Sequence, residues 1–206
     1  MEYALACLLG YFLGCLSPAK LVSLIKGVDL KKNGSGNLGA SNTTMLLGWK
    51  WGIAVGVGVC DFFKGVLAVV ILLRIYPYET AAAALCGTAA VMGHIFPFYM
   101  DFKGGKGFAT LIGVICGFNF WVALAFGVVI ISIAYITDYI VIGTMLTIVG
   151  YPVWLLASTG NIPAFLMTLP ITVVVFIKHL PNLKRMASGT EFKASDAAAG
   201  KDRIGQ

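Results

Sequence analysis

Residues 119–136 read NFWVALAFGVVIISIAYI, a stretch without a single charged side chain. A transmembrane helix needs about 20 predominantly apolar residues, because it must cross roughly 30 Å of hydrocarbon. The stretch comes close to this length and shows no alternation of apolar and polar residues. It is therefore typical of a helix that crosses a bilayer rather than of a half-buried strand.

The composition of the whole chain supports the same fold class. Hydrophobic residues make up 59% of the 206 positions, charged residues only 12%, and the mean hydropathy is +0.89. Soluble domains usually carry about 25% charged residues, so much of a normal solvated surface is missing. Further apolar runs cover residues 3–25, 52–73, 80–98, 108–117, 139–157 and 161–178. We predict an all-α, polytopic integral membrane protein of about seven transmembrane helices, built as one membrane-embedded domain of residues 1–206.

The basic residues predict how these helices are oriented. If the N-terminus lies outside and every run crosses, all 15 basic residues except Lys64 and Arg74 fall inside or at the inner boundary, as the positive-inside rule requires. The run at 108–117 is short for a complete crossing, but the charge distribution favours one. We therefore predict an N-terminus outside, a cytoplasmic C-terminus and a flexible cytoplasmic tail at residues 192–206. Glu2 stands where a signal peptide needs basic residues, so we expect the first run to be a retained span.

The sequence argues against a metal site and a nucleic-acid partner. The five cysteines are scattered through apolar runs and form no CxxC pair, which fits neither a disulfide framework nor a zinc site. The net charge of +6 comes without a basic patch interleaved with aromatic residues, so it favours attraction to anionic lipid over nucleic-acid binding. We predict no metal and no cofactor, with the lipid bilayer as a partner.

The first polar segment lies between the first two apolar runs. Residues 33–42 read NGSGNLGASN, and glycines allow backbone N–H groups to approach an anion closely. A helix that starts near Ser41 or Asn42 would point its N-terminal N–H groups at the same place. The segment lacks the Gly-Lys-Ser/Thr ending of a Walker A loop and the strand that precedes a dinucleotide fingerprint. It predicts a phosphate-binding loop, with a flexible loop and helix cap as the alternative.

The second polar segment joins the third and fourth apolar runs. Residues 102–110 read FKGGKGFAT, in which Lys103 and Lys106 flank a Gly-Gly pair. Lysine offers a compact charge for phosphate, and the glycines remove side chains that would block its approach. A positive-inside anchor explains the lysines but not a Gly-Gly-Lys-Gly sequence that opens directly into a helix. We interpret the segment as a second phosphate contact.

The third polar segment follows the last apolar run. Residues 178–191 read KHLPNLKRMASGTE. His179 and Asn182 share one helix face if the helix continues past Pro181, which suggests a bend. A structural histidine and a simple salt bridge of Glu191 stay open as alternatives.

One charged pair lies inside an apolar run. Asp61 and Lys64 are spaced to neutralise each other on one face of the second span. Charges inside a membrane are costly and usually face the interior of the bundle. The pair is expected either to brace the site from within or to hold the helices together.

In this order the segments resemble the acyl-phosphate:glycerol-3-phosphate acyltransferase family, PlsY. The resemblance covers nearly the whole chain and rests on SGNLGASN at 35–42, DFFKG at 61–65, GHIFPFYMDFKGGKGFAT at 93–110 and KHLPNLKRMASGTE at 178–191. It implies a single acyltransferase domain in the bacterial inner membrane, with the active site facing the cytoplasm. Such an enzyme transfers an acyl chain from acyl phosphate to the 1-hydroxyl of glycerol 3-phosphate, giving lysophosphatidic acid and phosphate. The resemblance implies no requirement for acyl-CoA, acyl carrier protein or metal.

The resemblance also implies roles for individual residues. Lys106, aided by Lys103, would neutralise a phosphate, while His179 and Asn182 orient the glycerol phosphate. The residues expected to be catalytic are Ser35, Lys106, His179 and Asn182. Those expected to bind substrate or phosphate are Gly34, Gly36, Asn37, Gly39, Ser41, Asn42, Lys103, Gly104, Gly105, Lys178 and Glu191. Because acyl phosphate is already activated, catalysis can consist mainly of positioning and charge stabilisation, with a substrate phosphate accepting the hydroxyl proton.

A few positions depart from the family's usual pattern. Ser41 stands where the family usually has Thr, Met45 where it usually has Arg, and Lys178 where it tends to have Arg. At Asp138–Val141 the family commonly has Arg or Lys followed by serines. Neither methionine nor lysine makes the bidentate phosphate contact of arginine, so we expect weaker binding of glycerol 3-phosphate than in an ordinary member.

Two other functions are left open by the residues. A divergent or inactive paralogue of the same fold would act on another phosphorylated acceptor or on none. A transporter of a phosphorylated solute would be expected to show internal repeats and broken helices that meet at the bilayer midplane. The chain has no repeat, and its polar segments lie at one boundary, which favours a one-sided membrane enzyme.

Overall fold

The computed structural model describes residues 1–33, 38–47 and 53–198, and this part of the chain contains helices but no strand. The α-helices are α1 Glu2–Cys15, α2 Pro18–Lys26, α3 Ala40–Leu47, α4 Ile53–Ile75, α5 Thr80–Ile95, α6 Phe108–Phe118, α7 Phe120–Thr137, α8 Ile140–Thr159, α9 Ile162–Ala187 and α10 Ala194–Ala198. By length and composition, six helical segments are able to cross a membrane: Glu2–Lys26, Ile53–Ile75, Thr80–Met100, Phe120–Thr137, Ile140–Thr159 and Ile162–Ala187. The predicted all-α membrane fold is confirmed, while the number of crossings and their orientation stay predictions.

The first apolar run forms two helices, α1 and α2, which together make up the candidate span Glu2–Lys26 and so agree with the predicted first span at residues 3–25. α1 ends at Cys15, and α2 begins at Pro18 after Ser17 adopts an extended conformation with φ −116° and ψ 94°. Proline disfavours a helical conformation in the residue before it and suits the first position of a helix. The Ser17 hydroxyl oxygen accepts a hydrogen bond from the Lys20 amide at 3.3 Å and so caps α2. Hydropathy does not register this break, because both helices are apolar.

The short fourth run forms α6, which is buried along one face within the bundle. A helix of this length falls short of the roughly 30 Å of hydrocarbon that a full span must cross. Leu111, Val114 and Ile115 are at most 1% exposed, so this face of α6 contacts other helices. A complete crossing by α6 stays a prediction.

Small residues let the inner helices approach closely. α1 packs against α5, and α4 packs against α6. A Cβ on Gly14 of α1 would lie 2.0 Å from the Ala90 carbonyl oxygen, and one on Gly113 of α6 would lie 1.9 Å from the Phe62 carbonyl oxygen. Membrane helices associate through such contacts because lipid provides no hydrophobic drive between them.

Replacing Gly113 by alanine is expected to destabilise the protein by about 1–3 kcal/mol, the usual cost of overpacking. The added methyl group would separate α4 from α6, because the atom that it meets is backbone rather than a flexible side chain. Gly127→Ala is the matched control, since this α7 glycine has nothing within 4 Å of its Cβ position. Thermal unfolding in detergent compares the two variants, and equal melting temperatures would contradict the tight contact.

α9 carries the last apolar run into the third polar segment. It continues to Ala187, beyond the predicted end at residue 178, and includes Pro170 and Pro181. His179 and Asn182 therefore lie an i, i+3 step apart on one continuous helix. The prediction that they share a helix face is confirmed.

Candidate active site

A chain of hydrogen bonds links the second polar segment to the third. Lys106 Nζ donates to Asn182 Oδ1 at 2.7 Å, and Asn182 Nδ2 donates to Glu191 Oε1 at 2.5 Å. The other carboxylate oxygen of Glu191 accepts from Arg185 Nε at 2.7 Å. These partners define the orientation of the Asn182 amide, since an ammonium only donates and a carboxylate only accepts. An ammonium, an amide, a carboxylate and a guanidinium are thus joined at the C-terminal end of α9.

His179 lies near this chain and is buried, with 6% of its surface exposed. Its Nδ1 is 2.8 Å from the Val175 carbonyl oxygen, one turn earlier in α9. A carbonyl oxygen only accepts, so Nδ1 carries a proton, and in the neutral form of the ring Nε2 is then an acceptor. The ring is edge-on to Phe108 with centroids 6.1 Å apart, and it lies within electrostatic range of Lys106 and Glu191. An acceptor nitrogen is therefore held in a defined orientation near the Lys106 ammonium.

The loop that carries Lys106 is fastened to the end of α5. The Gly104 amide donates to the Ile95 carbonyl oxygen at 2.9 Å, and the Gly105 amide donates to the His94 carbonyl oxygen at 3.2 Å. A Cβ on Gly104 would lie 2.0 Å from that His94 oxygen, and one on Gly105 would lie 2.1 Å from His94 Nε2. Both glycines thus allow close packing on α5, and their N–H groups are engaged by the protein. A direct contact of either glycine with phosphate stays a prediction.

The first polar segment meets the second at Gly105. The Leu38 carbonyl oxygen is 2.6 Å from the position that a Cβ of Gly105 would take. α3 begins at Ala40, close to the predicted start, and the Gly39 carbonyl oxygen accepts from both the amide and the hydroxyl of Thr43, at 3.1 and 3.0 Å. The three polar segments therefore converge. The first segment contacts the second at Gly105, and Lys106 of the second segment bonds to Asn182 of the third.

Asn42 organises the loop before α3. Its side chain is fully buried, and Nδ2 donates to the carbonyl oxygens of Leu30 at 2.7 Å and Asn33 at 3.2 Å. A primary amide has two N–H donors, so this side chain keeps neither of them for the phosphate contact predicted from the sequence. The geometry gives Asn42 a positioning role in the first segment.

The other two predicted lysines have separate environments. Lys103 is exposed on the loop before α6. Lys178 Nζ lies 4.9 Å from the centroid of the Phe96 ring, a cation–π contact that ties α9 to the chain following α5. Their predicted contacts with phosphate stay predictions.

Part of the predicted site lies outside the described residues. This part consists of Gly34, Ser35, Gly36 and Asn37. The backbones of Ser41 and Met45 belong to α3, but their side chains also lie outside what the structure describes. The roles implied for these residues stay predictions.

A buried ionic cluster lies beneath the Lys106 loop. Lys64 Nζ is 2.8 Å from Asp61 Oδ1 and 2.7 Å from His94 Nδ1, and it donates to the Leu16 carbonyl oxygen at 2.8 Å. Asp61, Lys64 and His94 are 2%, 4% and 9% exposed. The predicted pairing of Asp61 with Lys64 is confirmed. Because His94 Nε2 borders Gly105, the cluster braces the loop that carries the candidate site.

Two of these residues, Arg185 and His94, are not identified as functional from the sequence alone. Arg185 follows Asn182 at an i, i+3 spacing, which places both on one helix face and was a usable signal. His94 meets Asp61 and Lys64 only through the packing of α5 on α4, and no spacing along the chain indicates that contact.

Known proteins resemble this chain over nearly its full length. The profile described as glycerol-3-phosphate acyltransferase matches residues 4–189. Glycerol-3-phosphate acyltransferase 1 of Oceanobacillus iheyensis is 35% identical, over 95% of this chain and 96% of the relative. The glycerol-3-phosphate acyltransferase of Macrococcus caseolyticus is 38% identical, over 94% of this chain and 97% of the relative.

Solved structures agree with these sequence relatives. The crystal structure of PlsY, an integral membrane glycerol 3-phosphate acyltransferase, in its glycerol 3-phosphate form matches with a TM-score of 0.87 at 28% identity and covers 97% of this chain and 98% of that one. The lysophosphatidic acid form matches with a TM-score of 0.82 at 28% identity and covers 94% and 95%. From the family profile and the relatives together, the chain belongs to the glycerol-3-phosphate acyltransferase family.

Proposed function

We propose that this protein transfers the acyl chain of an acyl phosphate to the 1-hydroxyl of glycerol 3-phosphate, producing lysophosphatidic acid and phosphate for phospholipid biosynthesis. The observation that carries the proposal is the Lys106–Asn182–Glu191 chain, with the oriented His179 ring an i, i+3 step from Asn182 on α9. In a reaction between two phosphorylated substrates, the two negatively charged phosphate groups repel each other, so a cation is needed to reduce this repulsion. Polar groups are also needed to orient the attacking hydroxyl. Family membership and the two forms of PlsY support these substrates.

Lys106 would neutralise phosphate charge during acyl transfer. Its ammonium is partly buried and already held at 2.7 Å by Asn182. A charge that is positioned before the reaction stabilises a developing anion without reorganisation, and a low local dielectric strengthens the effect. Lys103 and Lys178 would add longer-range positive potential at the same end of the bundle.

His179 and Asn182 would orient glycerol 3-phosphate. The Nε2 lone pair of His179 would accept a hydrogen bond from a glycerol hydroxyl, while Asn182 holds the Lys106 ammonium in position through its hydrogen bond. The 1-hydroxyl oxygen then attacks the acyl carbonyl carbon, forming the ester C–O bond and breaking the bond from that carbon to the phosphate oxygen. The hydroxyl proton passes to the departing phosphate, so the step needs no protein base.

The donor phosphate would be bound by the first segment. Ser35 with Gly34, Gly36 and Asn37 would supply hydroxyl and N–H donors, assisted by Gly39 and Ser41. Gly104 and Gly105, whose amides donate to carbonyl oxygens at the end of α5, would contribute by holding the Lys106 loop in place. Asn42 would hold the loop in shape through its bonds to Leu30 and Asn33.

We also propose that the site faces the cytoplasm, with the N-terminus outside, α6 completing a seventh crossing and residues 192–206 on the cytoplasmic side. The excess of lysine and arginine at this end of the bundle supports that orientation. Reporter fusions after Ala187 and after Ile75, one active only inside and one only outside, should give opposite readings. Equal readings at the two positions would contradict this topology.

The function is tested by incubating purified protein with palmitoyl phosphate and glycerol 3-phosphate and following both products. We expect phosphate and lysophosphatidic acid in equal amounts. Phosphate without the lipid would instead indicate hydrolysis or another acceptor, and neither product would favour an inactive paralogue or a transporter.

The pH dependence of the reaction should report Lys106. Burial, and then the neighbouring Arg185, lowers the pKa of Lys106 to about 8, with Glu191 opposing the change. The ammonium is therefore lost as pH rises through this value, and kcat/KM is expected to fall about tenfold per pH unit above it. Lys106→Arg should remove this alkaline limb, because guanidinium stays charged. An identical limb in that variant would assign the titration to another group.

A further inference from the structure

Asp138 fastens the C-terminal segment to the turn between α7 and α8. Its Oδ1 accepts from the Ser195 amide and its Oδ2 from the Ser195 hydroxyl, both at 2.8 Å. Its own carbonyl oxygen accepts from the Ala194 amide at 2.9 Å. Lys193 Nζ lies 3.9 Å from Oδ2 and adds an ion pair. We name this set of contacts between Asp138 and residues 193–195 the tail clasp.

The backbone of Asp138 suits this role. It ends α7 in the left-handed region with φ 65°, and its amide donates to the Ala134 carbonyl oxygen at 2.8 Å. Aspartate adopts this conformation more readily than most residues. Hydrogen bonds from Ser195, chiefly from its amide, hold the pKa of the Asp138 carboxyl below its usual value. The carboxylate is therefore an ionised acceptor that is already engaged by the protein's own chain.

The tail clasp lies close in sequence to a member of the candidate site. Glu191 precedes Lys193 by two residues, and its carboxylate accepts from Asn182 and Arg185. Its amide also donates to the Arg185 carbonyl oxygen at 3.1 Å. The segment from 191 to 195 is thus tied to α9 at one end and to the α7–α8 turn at the other.

We propose that Asp138 is a positioning residue for acyl transfer, which acts by holding residues 193–195 so that Glu191 stays against Asn182 and Arg185. The inference rests on the function proposed above. Asn182 holds Lys106 and adjoins His179, so a displaced Glu191 would disturb the groups that orient glycerol 3-phosphate. The Asp138 carboxylate is directed to Ser195 and Lys193, so its negative charge is paired within the protein.

The first test measures the clasp itself by hydrogen exchange. In Asp138→Ala, peptides covering residues 192–198 should exchange faster, because the Ser195 amide loses its acceptor. Asp138→Asn should keep most of the protection, since its side-chain oxygen still accepts. Unchanged exchange in Asp138→Ala would overturn the clasp, whether or not the protein acylates glycerol 3-phosphate.

The second test measures positioning by kinetics with palmitoyl phosphate and glycerol 3-phosphate. Asp138→Ala should raise KM for glycerol 3-phosphate about fivefold to tenfold and leave KM for palmitoyl phosphate within about twofold, with Asp138→Asn close to wild type. In protein that already carries Glu191→Gln, Asp138→Ala should raise KM for glycerol 3-phosphate by less than about twofold more, because both changes act on one contact. Glu79→Ala, an exposed acid that caps α5 without a side-chain hydrogen bond, is the matched control.

Each kinetic outcome has a separate meaning. The positioning role would be overturned if Asp138→Ala raised KM equally for both substrates. It would also be overturned if the increases in KM caused by Asp138→Ala and Glu191→Gln multiplied fully in the double variant. Wild-type protein that forms no lysophosphatidic acid would refute the proposed function instead, and the exchange experiment would still decide whether the clasp exists.

Discussion

Lys106→Ala is expected to lower kcat/KM for glycerol 3-phosphate by about 10²–10³-fold, the usual cost of removing one preorganised charge-stabilising group from an active site. The variant loses the ammonium that lies 2.7 Å from Asn182 Oδ1. It also leaves that amide oxygen without the partner that orients it. The measurement is initial rates of lysophosphatidic acid formation from palmitoyl phosphate at saturating and limiting acceptor.

Two other lysines separate a local effect from a general loss of positive charge. Lys184→Ala removes an exposed lysine two residues beyond Asn182 on α9 and should stay within about twofold of wild type, as solvent and salt screen exposed charges. Lys103 lies in the same loop as Lys106 but is exposed. The kcat/KM of Lys103→Ala should therefore lie between those of Lys106→Ala and Lys184→Ala. Equal losses in all three variants would contradict a specific role for Lys106 and indicate a diffuse electrostatic effect.

Lys64→Met is expected to destabilise the fold by about 3–5 kcal/mol, because removing one partner of a buried ion pair leaves an uncompensated charge. Asp61 would remain 2% exposed with His94 as its nearest ionisable neighbour. The Leu16 carbonyl oxygen, where α1 gives way to α2, would also lose its donor. For a chain of this size the melting temperature in detergent should fall by on the order of 10 °C.

A paired replacement distinguishes lost pairing from lost packing. Lys64→Met combined with Asp61→Leu removes both charges and should recover most of the melting temperature, since apolar groups of similar volume often replace a buried pair without loss. A double variant as unstable as Lys64→Met would show that the shape of the lysine, rather than the unpaired carboxylate, accounts for the effect. Wild-type stability of Lys64→Met would contradict the pairing.

The helices that the sequence predicts well are those determined by hydrophobicity. The long uncharged run at 119–136 becomes α7, Phe120–Thr137, because in lipid every backbone polar group must be satisfied within the segment. The break at Ser17 and the extension of α9 beyond residue 178 depend on proline position, which hydropathy averages away. Pro18 begins a helix, whereas Pro181 lies inside one.

The candidate site could be predicted as a set of segments but not as a set of contacts. Lysine and glycine in one loop, and histidine with asparagine at an i, i+3 spacing, indicate phosphate chemistry from residue type and spacing alone. Two details of the site depend on packing between distant parts of the chain. One is that the Asn182 side-chain oxygen faces Lys106, and the other is that both N–H donors of Asn42 bond within its own loop. Asp138 illustrates the limit most clearly, since as a departure from the family pattern it predicts weaker substrate binding, yet its carboxylate binds Ser195.

The fastening of Gly104 and Gly105 to the last carbonyl groups of α5 has a consequence for inhibitors of this protein. A loop that is anchored through its own backbone need not fold around a substrate, so little free energy goes to ordering it when a ligand arrives. Stiff molecules that place a phosphonate against Lys106 should therefore lose little free energy to the ordering of this loop. When a flexible phosphonate meets this loop, the entropy lost there is mainly that of the ligand.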